Sequence, residues 1–311
     1  MERMAHRGKA GIAIGLTEGR FCPNHMAMGA RPIIRSFFDE ATNTVTHLVA
    51  DPATGQAAVI DPVLDYDPAG GQISTHSVEE LMSAATAEGW TIVWSLETHA
   101  HADHLSGAPV VKDRTGAKIG IGEHIRDVRD VFGPMLDIEG SDSDFDALFA
   151  DGERFAIGEL EVEVISTPGH TPACLCYRVG DAVFVGDTLF MPDYGTARCD
   201  FPGGDARTLY RSIERLLSLP PETRLFMCHD YKAPGRGQFA WETTVAEQRA
   251  SNPHVRDGIG EDQFVAMRES RDATLPVPKL LYPAIQVNIR AGKLPPAEAN
   301  GRRYIKIPLS V

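Results

Sequence analysis

Four side chains able to bind a metal crowd into the six residues His99-Ala100-His101-Ala102-Asp103-His104. Imidazole together with carboxylate suits zinc, iron or manganese, and the lack of a neighbouring cysteine speaks against a closed structural zinc knuckle. The spacing therefore points to an open, catalytic metal site carried on a loop. Further candidates follow along the chain: His170 in Thr167-Pro168-Gly169-His170-Thr171, Asp187 in Gly186-Asp187-Thr188, and His229 in Cys228-His229-Asp230.

Each candidate follows an apolar or alternating run that reads as a strand. Residues 91–96 precede the histidine cluster, 160–165 precede His170, 182–185 precede Asp187, and 225–228 precede His229. A strand end fixes the backbone while the following loop presents the side chain, so four strand ends could aim their ligands at one place. Asp61 follows the apolar run 57–60 in the same way. It is read equally well as support for the histidine loop and as a turn residue before Pro62. The pattern also predicts strands at residues 33–37, 46–50 and 57–61 and helices at 78–88, 205–219, 242–250 and 261–268.

These motifs, in this order, resemble the metallo-beta-lactamase superfamily over roughly residues 33 to 292. The resemblance implies an α/β fold, the αββα four-layer sandwich, with two mixed sheets face to face, helices outside and a metal cleft along one edge. Glu97-Thr98-His99, Gly186-Asp187-Thr188-Leu189-Phe190, Arg198-Cys199-Asp200-Phe201 and His229-Asp230-Tyr231 look like the persulfide dioxygenase branch. So do Leu275-Pro276-Val277-Pro278-Lys279, Pro283 and Asn288-Ile289-Arg290. That branch oxidises glutathione persulfide with dioxygen and water to sulfite and glutathione, in sulfide detoxification.

The resemblance implies one Fe(II) per chain on His99, His170 and Asp187, a facial triad that leaves room for sulfur, dioxygen and water. His101, Asp103, His104, His229 and Asp61 would then orient the triad, or build a second metal site if the chain is a hydrolase. Arg198, Asp200, Tyr231 and Arg290 are the implied substrate-binding residues. The competing enzyme is a glyoxalase II-like thioesterase with two zinc ions, and a third reading is a non-catalytic persulfide or metal sensor. Relatives differ from this chain in two places near the implied thiol pocket. The segment Lys232 to Gln238 is longer than in many of them, and His254 stands where some carry Arg.

With 311 residues, 43% of them hydrophobic, the chain can bury a large core. The 30 Lys+Arg against 43 Asp+Glu leave a net −13, which disfavours nucleic acid and anionic membranes as partners. An anionic substrate must then meet locally concentrated cations, with Arg198, Lys232, Arg236 and Arg290 the ones to examine. The acidic stretch 137–153 reads as a solvated loop or helix face. Five cysteines without a signal peptide suggest free thiols in a cytoplasmic, reducing setting, with Cys174 and Cys176 on one core-facing strand side and Cys199 a bystander. Residues 1–30 lack a core pattern and read as a flexible extension, with residues 31–311 as the catalytic domain and its helical cover. A homodimer is left open.

Overall fold

Period-two patterning sorts the strand residues onto two faces, and the sorting builds the layers. The computed structural model describes residues 31–309, so the extension expected at residues 1–30 lies outside the described residues. In chain order the elements are β1 (Ile33–Asp39), β2 (Thr44–Ala50), β3 (Gln56–Ile60), β4 (Val63–Asp67), β5 (Gln72–Ser74), α1 (His76–Ala87), β6 (Thr91–Leu96) and β7 (Leu105–Ser106). There follow α2 (Ala108–Thr115), β8 (Lys118–Gly122), α3 (Ile125–Leu136), β9 (Ala147–Phe149), β10 (Arg154–Ile157), β11 (Leu160–Ser166), β12 (Leu175–Val179) and β13 (Ala182–Phe184). The chain closes with α4 (Ala206–Leu217), β14 (Arg224–Phe226), β15 (Glu242–Thr244), α5 (Val245–Ser251), α6 (Glu261–Asp272) and α7 (Leu281–Asn288).

Two six-stranded mixed sheets result, ordered β1-β2-β3-β6-β8-β9 and β10-β11-β12-β13-β14-β15. In the first, β3, β6, β8 and β9 run parallel; in the second, only β13 and β14 do. Val49, Ala58, Ile60 and Leu96 from the first sheet pack on Val162, Val164, Tyr177 and Phe184 from the second. Their strand neighbours point outward. Leu48, Ala57 and Val59 meet Val78 and Leu81 of α1, while Cys176, Val183 and Leu225 meet Leu209, Ile213 and Leu216 of α4. The layers are thus helix, sheet, sheet, helix. A core deletion such as Ile60→Ala would cost about 2–5 kcal/mol.

Some expected boundaries move, for local reasons. The helix expected at 242–250 splits, because Glu242–Thr244 pairs with β14 and Thr244 then caps α5 through a box with Glu247. The helix expected at 261–268 runs on to Asp272, where an ion pair four residues apart joins it to Arg268. The acidic stretch 137–153 is more than a solvated face: Phe145 and Phe149 are buried, β9 joins the first sheet, and Asp142 pairs with Arg129. Helices α3 and α7 were not anticipated, and both bear on the site. Among the described residues no helix is long and apolar enough to cross a membrane.

Candidate metal centre

The two sheets bring their loop ends together where β6, β11, β13 and β14 finish, and the four motifs meet there. Donor atoms of His99, His170 and Asp187 lie within 4.8 Å of one another, all three side chains buried. Asp187 Oδ2 stands 3.9 Å from His99 Nε2 and 3.6 Å from His170 Nε2.

Hydrogen bonding assigns the tautomers. Thr98 Oγ1 donates its one hydrogen to Asp61 Oδ2 at 2.9 Å, so His99 Nδ1, 3.0 Å from that oxygen, is the donor to it. His170 Nδ1 donates to the Arg198 carbonyl at 2.7 Å. Both Nε2 atoms are left with bare lone pairs facing Asp187, the disposition a cation requires. Burial and then the neighbouring His101 and His170 push the His99 pKa well below its ordinary value, which keeps the ring neutral for ligation. The donor set fits a resident metal ion.

Two glycines make the approach possible. Gly169 has φ +137°, and a Cβ there would sit 2.4 Å from the Leu209 backbone. Gly186, at φ +51°, brings Asp187 against Thr98, with a Cβ 2.6 Å from Thr98 Oγ1. Asp61, also left-handed at φ 51°, accepts from Thr98 N at 2.7 Å and from His101 Nε2 at 2.9 Å. It therefore braces the histidine loop. Burial opposes charge on His101, but Asp61 and Glu97 outweigh it and raise its pKa well above the ordinary value. Asn288 of α7 completes the brace, with Nδ2 on the His101 and His104 carbonyls and Oδ1 on Ser106 N.

A second group of donors lies beside the first. His101 Nδ1, Asp103 Oδ2, His104 Nε2, Asp187 Oδ1 and His229 Nε2 are buried without a hydrogen-bond partner among the described residues. His229 Nε2 is 3.1 Å from Asp103 Oδ2 and 3.3 Å from Asp187 Oδ1. Cys228 Sγ lies within 4.8 Å of donors on His101 and His229. Orphaned buried polar atoms are costly unless water or a cation satisfies them.

Above the donors opens a cavity of about 270 Å³. Tyr231 lines it, stacked on His229 at 5.6 Å, and Arg198 forms part of the wall. Asp200 does not line it but holds Arg198 from behind, through Nε at 2.6 Å and Nη2 at 2.7 Å, while Arg198 Nη1 donates to Pro276 O. Arg290 does not reach the cavity: its Nε donates to Gln286 O. Arg236 is taken up by Asp230 and Asp193, and Lys232 lies over Phe239. The cations that do line the cavity with Arg198 are Arg268 and Arg271, neither singled out from sequence. Arg268 pairs with Asp272; Arg271 is exposed and has no carboxylate partner among the described residues. A sequence signal existed in the Arg268-Glu269-Ser270-Arg271 run leading into the Leu275 to Lys279 motif, but nothing in one dimension places it over His99.

The wall loop 195–201 is held by the last helices. Asn252 Nδ2 donates to Gly195 O at 3.1 Å, Thr196 N donates to His254 Nδ1 at 3.0 Å, Arg268 Nη1 to Thr196 O at 3.0 Å, and Cys199 N to Asp272 Oδ2 at 2.8 Å. His254, the departure noted in sequence, thus supports the wall from behind. Burial, then Arg268 and Arg271, lower its pKa to about 4. Cys199 is buried off the cavity and burial raises its thiol pKa; burial likewise pushes Cys174 and Cys176 up to about 12.

Residues 40–229 match the family described as the metallo-beta-lactamase superfamily. A probable metallo-hydrolase of Burkholderia pseudomallei is 52% identical over 290 residues, 89% of this chain and 98% of its own. Glyoxylase B2 of Dictyostelium discoideum is 48% identical, covering 91% and 99%. The mitochondrial persulfide dioxygenase ETHE1 of Bos taurus is 28% identical, covering 90% and 96%. The crystal structure of ETHE1 from Myxococcus xanthus superposes with a TM-score of 0.68 at 32% identity, over 84% of this chain and all of that one.

Proposed function

The chain belongs to the metallo-beta-lactamase superfamily, and from that premise we propose that it is a persulfide dioxygenase with one non-haem iron per chain, acting on glutathione persulfide. The observation that carries this reading is the pair of bare Nε2 atoms of His99 and His170 facing Asp187 at the floor of an arginine-lined cavity. Two imidazoles and one carboxylate form the facial set that suits iron(II) and leaves coordination positions open. Similarity to ETHE1 from Myxococcus xanthus supports the same reading.

Iron held there would supply the redox chemistry that lets a closed-shell sulfur compound react with triplet dioxygen. The overall change balances as persulfide plus dioxygen plus water giving thiol, sulfite and two protons; the S–S bond breaks and the terminal sulfur is oxidised. The chain's own groups bind, orient and exclude. Arg271 meets a glutathione carboxylate at the cavity mouth. Arg198, its fork largely spent on Asp200 and Pro276, fixes the wall and offers its remaining donors to the bound sulfur compound. Phe190 and Tyr194 keep water from the persulfide, and the unpartnered atoms of Asp103, His104 and His229 hold the water that is consumed.

A second reading, a dinuclear zinc thioesterase, is favoured by those same unpartnered donors and by the hydrolase and glyoxylase names of the relatives at 48–52% identity. One comparison separates the two. Anaerobically iron-loaded protein given glutathione persulfide should take up oxygen and release sulfite, while the zinc form should hydrolyse lactoylglutathione slowly. Two tightly held zinc ions with rapid thioester hydrolysis, and no oxygen uptake by the iron form, would transfer the function to the thioesterase.

A further inference from the structure

A small apolar crevice lies on the other side of His170 from the main cavity. Ala100 from the histidine loop, Val128 and Phe132 from α3 and Ile285 from α7 form its inner walls, all of them core residues. Phe201, edge-on to the His170 ring at 5.1 Å, lines both spaces and forms a partition between them, and the exposed Pro202 marks the outer mouth. The centre of a water-sized sphere can range over about 10 Å³ in the crevice, so the space holds one small molecule.

Water is a poor occupant. A buried water needs about 2–4 polar partners, and the polar side chains here are His170 and Thr171. His170 Nδ1 is spent on the Arg198 carbonyl and its Nε2 faces Asp187. Thr171 N donates to Cys174 Sγ at 3.3 Å and Thr171 Oγ1 shares a hydrogen with the same sulfur at 3.1 Å, which leaves one side-chain acceptor, short of the partners a water needs. Dioxygen is small and uncharged and forgoes almost no hydrogen bonding on leaving water. A thiol substrate would plug the main cavity, so a gas needs its own way to the donors.

We propose that this crevice between α3, α7 and Phe201 is a staging site for dioxygen, delivering it past His170 while the substrate fills the main cavity. The inference rests on the dioxygenase reading, so its test includes a measurement that needs no reaction. Crystals of the whole chain pressurised with xenon should show the gas beside Val128, Phe132 and Ile285; a crevice that stays empty overturns the proposal. Val128→Phe, or the milder Val128→Leu should the first fail to fold, should exclude xenon. It should also raise the KM for dioxygen roughly three- to ten-fold with the KM for glutathione persulfide within about twofold. Phe132→Leu should enlarge the xenon peak. A sealed crevice with an unchanged dioxygen KM sinks the staging role and leaves the dioxygenase reading standing. Xenon bound to a wild type that takes up no oxygen when iron-loaded sinks the parent reading and the assignment to dioxygen with it.

Discussion

The floor of the cavity and its wall are built in opposite ways. The floor is made of strand ends: His99, His170, Asp187 and His229 each leave a sheet whose inner face is packed core, and the second nitrogens of the three histidines bond to Thr98 Oγ1, the Arg198 carbonyl and Asn43 O. The wall is a loop, residues 195–201, with no strand of its own, positioned by side chains from α6 and from the turn between α5 and α6. Rigid strand ends suit a metal, which tolerates little displacement of its ligands. A loop braced from outside can change its lining without disturbing the metal, which suits selection among substrates.

If floor and wall are separate units, damage to each should read out differently. The largest effect belongs to the floor. His99→Ala, His170→Ala or Asp187→Ala should remove metal and activity together, while His229→Ala should keep most of its iron and lose roughly 10–100-fold in activity. Metal analysis of the purified variants decides it. Equal emptying by His229→Ala would merge the second donor group with the first and favour two metals.

The next largest effect falls on the wall's brace. Asp272→Ala leaves Arg268 buried and uncompensated, a situation that costs about 3–5 kcal/mol, with Cys199 N also losing its acceptor. Urea unfolding should show the loss, with iron content still near one per chain. Metal loss in step with stability would mean that wall and floor are one unit, coupled through His170 and the Arg198 carbonyl.

Arg271→Gln should touch neither metal nor fold. A charge-assisted hydrogen bond is worth about 1.5–3 kcal/mol, so the KM for glutathione persulfide should rise at least about tenfold with kcat retained. An unaltered KM would remove Arg271 from the substrate-binding set.

The smallest effect is a pH dependence. His254 titrates near 4 in the folded chain and near its ordinary 6.5 when unfolded. Above pH 6.5 both states are neutral there and nothing is lost; as pH falls from 6.5 towards 4 the unfolded chain gains the proton first, and stability drops. With partial solvent exposure allowed for, the loss between pH 7 and pH 5 should be about 1 kcal/mol. His254→Gln should flatten that part of the stability profile, and an unchanged slope would assign the dependence elsewhere.

The floor was legible in sequence because its residues carry rare chemistry at short spacing, each behind a recognisable strand. The sandwich was implied by the resemblance to the metallo-beta-lactamase superfamily, while alternating runs such as residues 160–165 declared only that individual strands have a buried face. Helices α3 and α7 were not. Their apolar residues serve the outer layer and the histidine loop, and Asn288 looks like any polar residue until it is seen bonded to the His101 and His104 carbonyls. Asp61, evenly balanced in sequence between turn residue and support, is a support because the loop end of β6 lands beside it.

Sequence alone determined the donor types, their order along the chain and the strand ends that carry them, because metal ligation and strand periodicity are local properties of composition and spacing. Only the tertiary structure decided which nitrogen of each histidine is bare, that Arg290 stands away from the cavity, and that Arg271 stands over it. Tautomers depend on hydrogen-bond partners far away in the chain, such as the Arg198 carbonyl 28 residues beyond His170. A surface cation acquires a role only when a helix from the end of the chain is laid across strands from its beginning, and packing sets that placement.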